Sequence, residues 1–289
     1  MQTFLSYLAA GLLSGGIYGI LALPLSLVWR STGIFDIAVG GYVVVAGIVA
    51  ADVGQRLGWP AGALAGIAAA CLLAGVTTLL FLLFQATKQP DEHMAMSLGT
   101  FGLAIAITAG AAMALGTESR FLPIVGGAWV LGEVVLAKGY VLSFLVALAL
   151  LGGMLLILAR TTLGLRMRAA SLSPGHAELL GVPVRRIQCG TFLIGGAIAG
   201  LVGVMAASTI GVAYSGTVQF SIIGLGAAVL FGARGPGSAF LGGLVTGVLQ
   251  SLSFGYVSPA IANMLPSILI LGVFASGIAL RGTQMAVRP

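Results

Sequence analysis

The chain has 289 residues, 59% of them hydrophobic and only 7% charged, with a net charge of +6. Soluble domains carry about 25% charged residues, so this composition excludes a soluble protein and specifies an integral membrane one. The excess of basic residues does not point to nucleic acid, because it follows membrane sidedness and forms no patch interleaved with aromatics.

The apolar runs are continuous rather than alternating, which fits helices and not barrel strands. The expected fold is an all-α polytopic membrane protein, a single transmembrane domain over residues 1–289. The first span covers residues 4–28, with Pro24 placed to kink it. It lacks a charged leading region and exceeds a signal-peptide core, so it is read as a retained span. Arg30 follows, and then 34–51, a shorter, glycine-interrupted span opened by Asp36. Spans at 61–84, 95–115 and 139–158 come next. A segment with Lys88, Asp91 and Glu92 separates the first two, and a loop with Glu118, Arg120 and Glu133 separates the last two. Beyond residue 188 lie 189–212, the short 218–231, a tight Arg234-Gly-Pro-Gly turn, 239–254 and 260–280. This gives about eight or nine spans and half-spans, in halves 1–159 and 189–289. Gly11 with Gly15, and Gly62 with Gly66, form small-xxx-small surfaces suited to close helix packing. Cys71 and Cys189 have no metal-ligand spacing and read as packing residues.

Between the halves lies 160–188, the one long basic interval, with Arg160, Arg166, Arg168, Arg185 and Arg186 against Glu178 alone. An Arg at the centre of a bilayer helix costs about 3 kcal/mol, so this interval stays out of hydrocarbon, and short basic loops stay in the cytoplasm. Alternating from it, only Arg56, Arg120 and Lys138 of the thirteen basic residues fall outside. The N-terminus is then periplasmic and the C-terminus cytoplasmic. Inside the loop, Ser173 suits an N-cap, Pro174 the first helical position, and Gly181 with Pro183 a stop. One short helix, about 174–180, is expected. Ala177 and Leu180 form its apolar face, with Leu179 beside it. Such a face serves either to dock into a soluble partner or to lie on lipid headgroups, and the spacing leaves both open.

Residues 32–41 and 216–226 each open a short, glycine-bearing span after one long span, and cross in opposite directions. Inverted repeats with broken helices in matching positions point to a transport site near the midplane. The pattern selects Asp36, Tyr42, Gln219 and Ser221 as pathway candidates, with Ser97, Thr100 and Gln250 as further polar groups within spans. Asp36 has two readings, a helix cap or a substrate or gating group. Gly-x-x-x-x-Gly-Lys-Ser/Thr is missing, His93 and His176 have no catalytic or metal-binding company, and Asp36 is the sole ionisable group near a span interior. The chain reads as a pathway without a catalytic site, and an external energy source suits it better than ion coupling. A passive glycine-rich channel, an export component, or a permease for another small solute such as urea are the alternatives.

The loop sequence Thr162-Leu-Gly-Leu-Arg-Met-Arg-Ala-Ala, then Ala177-Glu-Leu-Leu-Gly-Val and Arg185-Arg-Ile, resembles the cytoplasmic loop of the branched-chain amino-acid ABC importer permeases. Thr191-Phe-Leu-Ile-Gly-Gly and Ala227-Ala-Val-Leu-Phe-Gly-Ala-Arg-Gly-Pro-Gly-Ser are similar to the same family. The resemblance implies a coupling helix that docks into an ATPase, with Arg166, Arg168, Ala177, Glu178, Leu179, Leu180 and Gly181 in the coupling loop. It further implies a second permease, two cytoplasmic ATPase subunits that hold ATP and Mg, a periplasmic binding protein, and a bacterial inner-membrane location. No cofactor, metal or nucleic acid is expected on this chain. Departures from the family pattern lie at Asp36, Val39, Gly41, Ile223 and Gln250, and all but Asp36 reduce polarity.

Overall fold

The structure is a computed structural model that describes residues 2–87, 92–124, 126–131, 134–232 and 235–275. Lys88, Asp91, Glu133, Arg234, Arg281 and Arg288 lie outside those residues, as does the end of the last expected span. In chain order come α1 (Gln2–Thr32), α2 (Val39–Leu57), α3 (Trp59–Thr87) and α4 (Glu92–Leu115). The hairpin β1 (Ala128–Leu131) and β2 (Val134–Ala137) follows, then α5 (Lys138–Arg160), α6 (Thr162–Leu172) and α7 (Pro174–Leu179). The second half holds α8 (Val184–Thr209), α9 (Gly216–Val229), α10 (Pro236–Tyr256) and α11 (Pro259–Ala275).

Among the described residues, each of the nine expected spans contains a helix, and six of these helices are long and apolar enough to cross a membrane. The exceptions are α9, α11 and α2. The last ends in Asp52, Gln55 and Arg56 and is buried over most of its length. α1 continues through Pro24 without a break. The loop after α4 contains a short hairpin that the sequence reading lacked. On α3, Leu64, Leu72, Leu79 and Leu83 are all exposed and recur at helical spacing. That stripe is what a lipid-facing surface requires.

Packing follows a paired scheme. α1 packs along α10 and α9, as α8 packs along α3 and α2; α2–α3 matches α9–α10, and α3–α4 matches α10–α11. The first helix of each half is thus held by the second and third helices of the other half. This is the pattern an inverted repeat produces, with α5–α7 as the connector. The glycine motifs sit on these seams. A Cβ on Gly11 or Gly15 would lie 2.7 or 2.9 Å from the α10 backbone at Val248 and Leu244, while Gly62 and Gly66 rest on the carbonyls of Ala50 and Ala46. Close approach of this kind is how membrane helices gain contact energy, since lipid supplies no hydrophobic drive between them.

Two parts of the chain interrupt the helices. Residues 33–38, between α1 and α2, are non-helical; Ile34 and Ala38 are buried at 1% and 0% exposure, and Phe35 and Ile37 are partly buried. On the opposite side, the loop after α4 is pinned to the α8–α9 turn. Arg120 and Val212 exchange both backbone hydrogen bonds at 2.9 Å, Leu122 N–H donates to the Ala207 carbonyl, and the Arg120 guanidinium pairs with Asp52 at the end of α2.

Candidate functional site

The largely buried segment 34–38 must satisfy backbone groups outside any helix ladder, because each one left unpaired in an apolar interior costs several kcal/mol. Side chains from α4 and α9, together with Asp36 within the segment, do so. The Thr100 hydroxyl on α4 accepts from the Ile37 N–H at 3.3 Å and shares its proton between the Ser97 carbonyl of its own helix, at 2.9 Å, and the Phe35 carbonyl, at 3.3 Å. On α9, the Ser221 hydroxyl donates to the Ile37 carbonyl at 2.6 Å and accepts from the Gly40 N–H at 3.2 Å. Asp36, 2% exposed, accepts the Ala38 N–H at 3.1 Å and the Tyr42 hydroxyl at 3.0 Å. Tyr42 is bonded in turn to Thr77 of α3.

Asp36, Tyr42, Thr100 and Ser221 are therefore brought together, and they act as struts on an unwound junction. Asp36 stands two residues ahead of the α2 N-cap, Ala38, and closes a local turn before the helix begins. Ser221 alone of the four also lines a cavity of about 230 Å³, with Leu25, Ile37, Phe101 and Ile222 around it. The two repeat segments meet at this point. The α of Gly40 lies against the Thr217 carbonyl and Ser221, so that any side chain there would collide with α9.

The remaining candidates lie apart. Gln219 is exposed on the outer side of α9, since the helical turn that buries Thr217, Phe220 and Ser221 points it away. Ser97 donates to the His93 carbonyl of its own helix. Gln250, 5% exposed, lines a separate cavity of about 370 Å³ with Tyr18, Tyr140 and Ser251. Thr77 and Tyr140 were not among the sequence candidates. A threonine in a span ordinarily bonds its own backbone, and Thr77 does so with Leu73, which hides its second role.

The basic loop holds two helices rather than the one expected. Thr161 caps α6 by accepting the Gly164 N–H at 3.2 Å. α7 spans Pro174–Leu179, and Ser173 stands at its N-cap, but the serine hydroxyl bonds the His176 ring rather than a backbone N–H. At the far end Val182 N–H donates to the Ala177 carbonyl and Gly181 N–H to that of Glu178, with Gly181 at φ +78°. These paired bonds are the Schellman stop, which favours glycine at the left-handed position.

The expected Ala177–Leu180 face does not form. Ala177 is 3% exposed and packs with Ala170, Val184 and Ile187 in a small core that joins α6, α7 and α8. Leu180 has already left the helix as its C-cap. Leu172, Leu179 and Leu180, at 81%, 85% and 82% exposure, point outward instead. Around them Arg166, Glu178, Gly181, Arg185 and Arg186 are exposed as well. The mount behind them is firm. Gln188, at the start of α8, donates to the Ser31 carbonyl of α1 at 3.0 Å and accepts from Gln85 of α3.

The chain has relatives among known proteins. Residues 7–274 match the model of the family described as the branched-chain amino acid transport system permease component. The chain belongs to this permease family. It is 26% identical to the high-affinity branched-chain amino acid transport system permease protein LivH of Escherichia coli (strain K12), over 95% of each chain. With BraD of Pseudomonas aeruginosa, a permease protein of the same description, the identity is 24% over 99% of this chain and 96% of the relative. The fold of PsaBC from Streptococcus pneumoniae, solved in complex with a Fab, is similar at a TM-score of 0.52. That likeness covers 93% of this chain and 91% of the other at 13% identity. The permease is thus a multi-span membrane protein of a transport system.

Proposed function

We propose that this permease is one pathway-forming subunit of an ATP-driven importer for branched-chain or other hydrophobic amino acids, or related small amides. In this reading a second permease, identical or paralogous, completes the pathway, and a periplasmic binding protein delivers the substrate. The basic loop and the C-terminus face the cytoplasm of a bacterial inner membrane, and the N-terminus faces the periplasm. Two cytoplasmic ATPase subunits hold ATP and Mg; this chain holds neither.

The observation that carries the reading is the trio Leu172, Leu179 and Leu180, exposed at the end of a rigid mount. Burying Leu179 and Leu180 against a partner contributes about 3–6 kcal/mol in total, enough to seat an ATPase groove on them. Closure of the ATPase pair then pushes α7, and the core around Ala177 passes the push to α8. Gln188 and the packing of α8 along α1, α2 and α3 spread it to the junction at 33–38. The apolar lining of the cavity beside Ser221 suits an aliphatic side chain.

ATP-dependent uptake of labelled leucine by proteoliposomes holding the assembled importer, supplied with its binding protein, tests this. Uptake that needs ATP and the binding protein is expected. Flux through the permease alone would return the passive channel as the better reading.

A further inference from the structure

A second polar place lies outside the junction and outside the docking leucines. At one end of the bundle, α1, α5, α6 and the first turn of α10 enclose a cavity of about 250 Å³. Leu27, Leu155, Leu158 and Met167 give it an apolar wall, and Arg30 and Arg168 line it. Arg168 is held in position by donating to the Leu158 carbonyl at 3.0 Å, which leaves most of its five N–H groups uncommitted. Arg30 is half-buried, and no described residue accepts a hydrogen bond from it or forms an ion pair with it. The two guanidiniums are close enough for their like charges to oppose each other. Arg30 also sits against the amino end of α10: a Cβ on Gly235 would lie 3.2 Å from its Nη1. A helix amino end carries a partial positive charge, so three positive groups converge where no described carboxylate faces them. The serines at the cavity, Ser31 and Ser171, have their protons committed to the Val28 and Arg168 carbonyls, so the guanidiniums are the available donors.

A half-buried positive charge such as Arg30 is costly without a counter-ion, and an arginine fork matches a phosphate oxygen pair. We propose that this cavity binds a phosphate-ester oxyanion through Arg30 and Arg168. That chemistry is shared by an anionic phospholipid headgroup and a soluble phosphate. The apolar wall favours the lipid, because an acyl chain would continue from the headgroup along Leu27 and Leu155, and the last turns of α1 and α5, two helices long and apolar enough to cross a membrane, line the cavity. The proposal does not depend on the transported substrate, and its test reads lipid retention rather than uptake.

The experiment is native mass spectrometry of the intact permease purified from bilayers of mixed phosphatidylglycerol and phosphatidylcholine. Selective retention of phosphatidylglycerol is expected. Arg30→Gln with Arg168→Gln should lower it at least about tenfold, the loss expected from removing charge-assisted bonds. Arg185→Gln with Arg186→Gln, which removes two exposed arginines outside the cavity, should leave it unchanged. Arg168→Gln alone, on an exposed side chain that cannot disturb the core, should show part of the loss with an unchanged melting temperature. Displacement of the lipid by excess inorganic phosphate would assign the site to a soluble oxyanion, and persistence would assign it to lipid. Equal retention by the cavity variant, or equal loss from the Arg185/Arg186 variant, would overturn the proposal.

Discussion

Residues 33–38 and helix α7 reverse the ordinary distribution of polarity in opposite ways. The junction buries a carboxyl group, two hydroxyls and a phenol, and finds partners for all of them within the chain. α7 and its flanks expose three leucines and find none of them a covering partner among the described residues. A buried polar group that is fully satisfied explains itself as architecture. An exposed apolar cluster on a rigid mount does not, and it directs attention to a second molecule. Under the proposed function, the difference separates what holds this permease together from what connects it to its energy source.

The comparison can be broken at either end. The largest effect is expected from Leu180→Asp combined with Gly181→Pro, which puts a charge on the docking surface and removes the left-handed stop. ATP-driven uptake should vanish while membrane insertion stays intact. Normal uptake would refute the docking role. Next, Gly40→Ala drives a methyl into the Thr217 carbonyl and Ser221. Overpacking of this kind costs about 1–3 kcal/mol or more, to be read as a lower melting temperature of the purified permease. Asp36→Ala leaves the Ala38 N–H without an acceptor and the Tyr42 hydroxyl with Thr77 alone, and about 1–3 kcal/mol of stability should be lost. Loss of uptake with full stability would instead make Asp36 a substrate or gating group. The smallest effect belongs to Asp52→Asn. Its pair with Arg120 is about one-third solvent-exposed, so at most about 1 kcal/mol is at stake, seen as a slight fall in melting temperature.

Much of this was legible beforehand, for identifiable reasons. Continuous apolar runs place helices because burial and length leave few alternatives, and the glycine pairs at 11/15 and 62/66 mark two of the tightest seams. The ends of α7 were legible from Pro174 and Gly181, whose backbone restrictions act locally. Its face was not. Spacing alone grouped Ala177 with Leu180, whereas the Schellman turn carries Leu180 out of the helix, and the small side chain of Ala177 fits the narrow space beside α8. α6 escaped notice because Arg166 and Arg168 interrupt its apolar residues. The repeat pattern pointed to the right junction, yet it could not tell Ser221, which turns inward, from Gln219 two residues earlier, which turns outward. Nor does local sequence reveal that Thr77 and Thr100, on two other helices, complete the polar cluster around Asp36. Such contacts come only from tertiary packing.

The central claim is that the leucines after α6 and α7 seat an ATPase subunit. Site-directed crosslinking from Leu180→Cys, in a permease with Cys71 and Cys189 replaced by serine and assembled with its ATPase subunits, tests it most directly. A covalent adduct with an ATPase chain is expected, and a matched cysteine at Gln219 should give none. No adduct from Leu180→Cys in an importer that still hydrolyses ATP and transports would contradict the claim.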